Sequence, residues 1–307
     1  YYPSEAGGPA NTIYWMNKSL GRIGYSSYII STKYGLKEIV KNNDEVYNNF
    51  NINVNFVDNS LLDFFKKNKI DQFKNCDIIH LSSLFFLPTL PLIIFFLFIK
   101  KKIILSPRGE LYSSAIGRKN FFKRIYLYLI KVVQHKIVFH STNNFESALI
   151  IKYFPKAKDL VEVPNYIDLP KKVYCPKKEQ ILFLGRINPI KNIDLLIKAF
   201  SQLDSNIKEK FVLIIAGEAK LDYEKVYLNE LKQLVKGLNL NRVSFIGGVF
   251  KNEKEVLLAE SYCLVLPSKS ENFGNVVLES LAQSTPAIVS TGASSWSLLE
   301  QNKIGYW

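Results

Sequence analysis

Cys263-Leu264-Val265-Leu266-Pro267-Ser268-Lys269-Ser270-Glu271-Asn272-Phe273-Gly274-Asn275-Val276-Val277-Leu278-Glu279 decides how the second half of this chain folds. Its first five residues form an apolar run of strand length, and helical periodicity begins at Asn275 and continues to residue 283. Two glutamates stand eight positions apart, Glu271 in the loop and Glu279 inside the helix. Gly274 falls at the helix start, where backbone N–H groups and the helix dipole favour an anion. At 1.5 Å rise per residue, eight helical steps reach at most roughly 12 Å, comparable to a nucleotide sugar from ribose to hexose. On that reading one carboxylate takes sugar hydroxyls, the other takes the ribose diol, and a diphosphate lies between them. A capped helix with two solvated glutamates fits the same spacing.

The strand–helix alternation extends outward from this stretch. Upstream lie strands over 180–185, 211–216 and 243–246, with helices over 193–203, 223–236 and 253–260. Downstream come a strand over 287–290 and a helix over 295–301. The first half repeats the pattern, with strands over 27–31, 53–57, 77–82, 102–106, 136–141 and 161–164. Its helices are expected over 10–20, 61–67, 121–133 and 144–153. Residues 169–179 are rich in Lys and Pro, lack periodicity and read as a linker. The alternation predicts parallel βαβ winding. The chain is therefore read as an α/β protein with a domain over 1–168, a linker over 169–179 and a second domain over 180–307. A ligand cleft is expected between the two sheets.

Residues 84–99 are nearly unbroken in apolarity and end in Lys100-Lys101-Lys102. The run is shorter than the roughly 20 residues a spanning helix wants, and it holds Pro88 and Pro91. A core helix and a face dipping into an anionic membrane interface both fit it.

The net charge of +13 is uneven. Residues 1–168 hold 22 Lys/Arg against 13 Asp/Glu, and residues 169–307 hold 18 against 14. A basic first half points to an anionic partner, either acidic lipid or a phosphorylated substrate. Zinc-finger, RNA-recognition and helix-turn-helix patterns are absent, so nucleic acid is not an expected partner. Cys76, Cys175 and Cys263 lie far apart, and His80, His135 and His140 lack helical ligand spacing. Neither a disulfide framework nor a protein-built metal site is expected, and the cysteine usage suits a reducing cytoplasm. The chain opens without methionine and ends abruptly at Gly305-Tyr306-Trp307, which reads as a fragment.

A second motif, Gly185-Arg186-Ile187-Asn188-Pro189-Ile190-Lys191, follows the first strand of the second domain. Loops at that edge of a doubly wound sheet face ligands. Arg186 and Lys191, five apart around a proline turn, can converge on two phosphate groups, or can form a solvated basic turn.

Together the two motifs resemble the retaining glycosyltransferases of glycosyltransferase family 4, or group 1. That family carries a Gly-Arg…Lys loop and then a Glu-x7-Glu motif enclosing Phe-Gly, in the order of Gly185-Arg186…Lys191 and Glu271…Glu279. Gly217-Glu218, Phe245-Ile246-Gly247 and Pro286-Ala287-Ile288-Val289-Ser290 fall where the family has corresponding segments. In the first half, Gly7-Gly8-Pro9-Ala10 is similar to the family's glycine-rich loop. Asp77-Ile78-Ile79-His80 and Ser106-Pro107-Arg108-Gly109-Glu110-Leu111 resemble strand ends of envelope-polysaccharide members. The chain departs from the family at three points: Tyr166 stands in place of a glycine, Ala219 replaces the second glycine after 211–216, and His80-Leu81-Ser82 replaces His-x-His.

The resemblance implies a GT-B architecture, two Rossmann-like domains facing across a cleft, and transfer of a sugar with retained anomeric configuration. The donor is a UDP- or GDP-linked sugar acting as substrate, with neither cofactor nor metal required. Arg186, Lys191 and Glu271 are the implied catalytic residues. Gly185, Gly217, Asn272, Phe273, Gly274, Asn275 and Glu279 line the donor, and Gly7, Gly8, His80 and Arg108 lie towards the acceptor. A glycan or lipid-linked acceptor in bacterial envelope polysaccharide synthesis is expected, in the cytoplasm or at the inner face of the membrane. The alternatives are a non-catalytic glycan- or partner-binding subunit on the membrane surface, and a nucleotide-sugar epimerase or hydrolase.

Overall fold

The computed structural model describes residues 8–32, 52–58, 61–117, 121–166 and 168–307. Two compact units divide between Ile167 and Asp168.

In the second unit, strands β7 (Gln180–Leu184), β8 (Val212–Ala216), β9 (Val243–Gly247), β10 (Cys263–Leu266), β11 (Ala287–Val289) and β12 (Gly305–Tyr306) form one parallel sheet. These labels follow chain order, as do β1–β6 in the first unit. The sheet order is β12-β11-β10-β7-β8-β9. Winding starts at β7, runs outward to β9, then returns to place β10 on the other side of β7. That reversal is the topological switch point, beside which doubly wound sheets bind ligands. Strand β7 is buried at four of its five residues, as expected where helices cover both faces of a sheet. The core joins Leu182, Phe183 and Leu264 to Ile193 and Ile197 of helix Ile193–Ser201 and to Val277 of helix Asn275–Ala282. Residues 168–178 carry no regular structure, but Gln283 anchors them by accepting from Val173 N at 2.7 Å and donating to Lys171 O at 3.0 Å.

The first unit holds a parallel pair, β1 (Ser27–Thr32) and β2 (Ile52–Val57). A separate parallel sheet contains β3 (Ile78–Leu81), β4 (Lys102–Leu105), β5 (Ile137–Ser141) and β6 (Asp159–Glu162) in that order. Val57 and Ile30 pack into the same core as Ile103, Leu105, Ile137 and Phe139 of the four-stranded sheet.

Helices Phe121–Val133 and Asn144–Tyr153 lie where periodicity places them. Two expectations are corrected. The single helix over 61–67 is two helices, Leu61–Phe64 and Lys67–Lys74, broken at Lys66, whose backbone is extended. The strand over 161–164 lies two residues earlier, at Asp159–Glu162, because its register is set by pairing with Val138–Ser141 rather than by its own apolarity.

The apolar run 84–99 resolves into helix Thr89–Phe98, ten residues long. Pro91 stands in its first turn, where a missing N–H breaks no helical bond. Leu92, Ile93 and Phe96 enter the core, while Ile94 and Phe98 are 60% and 83% exposed. Among the described residues, no helix is long and apolar enough to cross a membrane.

Candidate functional site

Strands β7 and β10 pair in parallel, with Cys263 opposite Ile181 and Leu264 opposite Leu182. The loops that follow them therefore leave the same sheet edge as neighbours, although the motifs they carry are far apart in sequence. Lys269 N donates to Ile190 O at 2.8 Å, joining the two loops through their backbones. Lys191 Nζ forms an ion pair with Glu271 Oε2, and the two side chains retain only 14% and 22% exposure. A cation and a carboxylate from the two sequence motifs thus meet at the switch point.

Each loop is shaped by its own polar residues. Asn188 Oδ1 accepts from Ile190 N at 3.0 Å and caps the 3-10 turn Pro189–Lys191. Its Nδ2 donates to Tyr223 OH at 2.9 Å and to the buried Glu224 at 3.0 Å. Burial pushes the Glu224 carboxyl upward, but Asn188, the N–H groups of Leu221 and Lys220, and the Arg186 charge outweigh it and hold the group below its ordinary value. Arg186 itself is exposed on this loop.

Gly217 sits where a side chain has no room, since a Cβ there would overlap the Gly185 carbonyl oxygen. The loops after β7 and β8 consequently touch backbone to backbone. Gly185 is less confined: a Cβ would lie 3.5 Å from Phe183 Cζ and 3.9 Å from Lys191 Cε.

In the β10 loop, Glu271 N donates to Gly292 O at 2.8 Å, Ser294 N donates to Glu271 O at 3.3 Å, and Ser294 Oγ donates to Asn272 O. Gly274 has φ +81° and occupies the N-cap position of helix Asn275–Ala282, which has no side-chain cap. Asn272, Phe273 and Asn275 surround it, half-buried. Glu279 lies in the second turn of that helix, where Lys254 Nζ of helix Lys251–Glu260 pairs with its Oε1 at 2.7 Å.

Three further polar groups at this site escape sequence reasoning. Lys254 precedes Glu279 by a spacing that marks nothing. Ser268 and Ser295 carry no motif, yet among the described residues their Oγ atoms are buried without a hydrogen-bond partner. Ser295 Oγ would stand 3.7 Å from a Cβ on Gly274. A buried hydroxyl left unpaired costs about 1–3 kcal/mol and calls for an explanation. The Ser295 hydroxyl, beside a helix N-terminus that no side chain caps, is suited to an anionic oxygen-rich ligand.

The first unit gathers its own polar cluster at the carboxyl edge of β3–β6. His80 Nε2 lies 2.7 Å from Ser106 Oγ, which lies 2.7 Å from His140 Nδ1, and His140 Nε2 faces Val163 O at 3.1 Å. The carbonyl can only accept, so His140 carries its proton on Nε2 and accepts from the Ser106 hydroxyl, which accepts from His80 Nε2–H. Burial, then the charges of Arg108 and His140, push His80 down to about 3. It is a neutral donor committed to Ser106.

Arg108 adopts φ +53°, rare for a residue with a side chain, and is followed by Gly109 at +82°. Its Nη1 donates to Asn165 Oδ1 at 2.8 Å and its Nε to Ser82 Oγ at 3.3 Å. Two buried or part-buried carboxylates hold the loop. Glu146 accepts from Gly109 N at 2.6 Å and from Thr142 N and Oγ1 at 2.8 and 2.9 Å. Glu110 accepts from Ser83 Oγ at 2.8 Å, Phe85 N at 3.1 Å and Leu84 N. Gly8 begins helix Gly8–Arg22, and Gly7 lies outside the described residues.

Comparison with known proteins gives this geometry its context. Residues 168–307 match the family Glycosyl transferases group 1. Mannosylfructose-phosphate synthase of Agrobacterium fabrum is 36% identical over 111 residues, 36% of this chain and 24% of that protein. The O-antigen chain mannosyltransferase RfbU of Salmonella typhimurium is 27% identical over 183 residues, 58% of this chain and 48% of that protein. These alignments span between a quarter and half of the relatives' lengths. Among solved structures, Anabaena Alr3699/HepE in complex with UDP and glucose superposes with a TM-score of 0.75 at 17% identity, covering 99% of this chain and 83% of that one. The chain has the α/β fold of the GT-B glycosyltransferases, and its second unit is where it matches glycosyl transferases group 1.

Proposed function

We propose that the protein transfers a sugar from a nucleoside-diphosphate donor to a hydroxyl of a glycan or lipid-linked acceptor, with retention at the anomeric carbon. The observation that carries this reading is the meeting of Lys191 with Glu271 at the switch point, beside the uncapped N-terminus at Gly274. A diphosphate arriving there competes with Glu271 for Lys191. The cation then balances the leaving group, and the freed carboxylate accepts hydroxyls of the donor sugar. Arg186 adds a second positive charge, Glu279 receives the ribose diol, and Ser295 offers its hydroxyl to the phosphate oxygens. These cations and helix amides meet the charge of the diphosphate without a metal ion or a cofactor. Retention is supported by the resemblance to family 4.

The basic first half and the similarity to an O-antigen mannosyltransferase favour an acceptor of the bacterial cell envelope, reached from the cytoplasmic side of an anionic membrane. The solved complex of HepE with UDP and glucose makes UDP the first nucleotide to try. Calorimetric titration with UDP and GDP, without added metal, tests the donor site in the parent, Arg186→Ala and Glu279→Ala. Micromolar binding of one nucleotide, lost in both variants, is the expected result. No binding to the parent would overturn the transferase reading in favour of a non-catalytic subunit.

A further inference from the structure

We infer that helix Phe121–Val133 is a docking surface for an anionic lipid bilayer. Helices of water-facing domains keep their apolar side chains inward, whereas this one turns apolar side chains outward as well as into the core. Phe121, Phe122, Tyr128 and Val132 are 68%, 81%, 67% and 61% exposed, while Ile130 faces the core. At 3.6 residues per turn they fall, with Ile125 and Leu129, in an arc of about 120°. Exposed Arg124 and Lys131 border one side of that arc. The neighbouring helix Thr89–Phe98 is tied to this one through Tyr126, whose hydroxyl accepts from Leu90 N at 2.6 Å and donates to Phe86 O at 2.9 Å.

The charge of the surrounding sequence selects the occupant. From residue 78 to residue 145 there are ten Lys/Arg and a single acidic residue, Glu110, which is turned to Ser83, Leu84 and Phe85. An apolar arc bordered by cations fits the boundary between anionic headgroups and acyl chains, where aromatic rings settle and lysine and arginine meet phosphate. A second protein would need an acidic rim around an apolar patch, and a second copy of this chain would bring like charge against like. The helix is 13 residues long, about 20 Å at 1.5 Å per residue, so it lies in the interface rather than spanning it.

The inference deepens the lipid-linked acceptor reading and rests on it for its purpose, but it is tested separately. The 307-residue chain is sedimented with vesicles of phosphatidylcholine containing one-quarter phosphatidylglycerol, and with phosphatidylcholine alone. The variants are Phe121→Ser/Phe122→Ser and Arg124→Glu/Lys131→Glu, each checked for an unchanged thermal midpoint and for UDP binding. Expected are binding to the anionic vesicles that weakens with salt, and at least tenfold loss in each variant. Failure of the parent to bind, binding equal in both variants, or a dimer that the Phe pair abolishes while vesicles stay unbound would each overturn it. Vesicle binding without nucleotide binding would leave the surface standing and remove the transferase reading.

Discussion

Lys254 Nζ donates to Glu279 Oε1 across 2.7 Å, tying helix Lys251–Glu260 to helix Asn275–Ala282. The side chains are 26% and 18% exposed, so the pair contributes only about 0–1 kcal/mol to stability. Its larger effect is to hold Glu279 in one place. Lys254→Met is expected to leave the unfolding midpoint nearly unchanged and to weaken nucleotide binding by about threefold to tenfold. Calorimetry beside a urea titration checks both, and unchanged affinity would separate the pair from ligand binding.

Gly217 and Gly185 look alike in sequence and differ in space. Gly217→Ala forces a methyl group onto the Gly185 carbonyl and is expected to cost about 2–4 kcal/mol, since backbone must move on both sides. Gly185→Ala meets only ordinary contacts, with Phe183 and Lys191, and keeps the fold to within about 1 kcal/mol. Urea unfolding of the two variants orders them. Equal destabilisation would contradict the backbone contact.

The His80–Ser106–His140 chain makes stability depend on pH. Burial first, then Arg108 and His140, hold His80 at about 3; burial first, with Arg108, lowers His140 as well. Unfolded histidines titrate near 6.5. Above that pH neither state binds the proton and these groups have no effect. Between 6.5 and about 3 the unfolded chain takes up protons that the folded one refuses. Stability therefore falls as pH drops, by up to about 1.4 kcal/mol per pH unit from His80. His80→Gln is expected to show a shallower loss than the parent in urea unfolding at pH 7.5, 6 and 5. Parallel slopes would mean that His80 takes up a proton in the folded state.

Glu146, 1% exposed, holds the loop after β4 to the loop after β5 through three hydrogen bonds. Glu146→Ala leaves the Gly109 and Thr142 N–H groups without their acceptor and is expected to destabilise the protein by about 2–4 kcal/mol. A loss below about 0.5 kcal/mol in urea unfolding would show that those amides find other partners.

Much of this arrangement was legible from local pattern. The alternating runs give the strand positions because parallel strands covered on both faces are apolar throughout. Gly185–Lys191 and Glu271–Glu279 were legible as motifs because glycine, cations and paired carboxylates stand at spacings that chemistry can use. What local pattern omits is adjacency. Ser106 meets His140 only because β4 pairs with β5 in a register set from outside either strand. Lys254 finds Glu279 only through the packing of two helices. Lys66 interrupts a helix that periodicity would have carried through, and the exposed apolar arc of 121–133 is indistinguishable in sequence from a core-facing stripe.

The strand order of the second unit also governs when the Lys191–Glu271 pair can form during synthesis. Lys191 emerges from the ribosome about 80 residues before Glu271, an interval of about 4–16 s at 5–20 residues per second. Through that interval β7, β8 and β9 can associate, but the flank of β7 that β10 will occupy stays open and Lys191 has no carboxylate to meet. Nascent chains stalled before Cys263 should pass over a nucleotide column unretained, whereas chains stalled well beyond residue 307 should be held, making ligand capture a clock for the last crossover of the sheet.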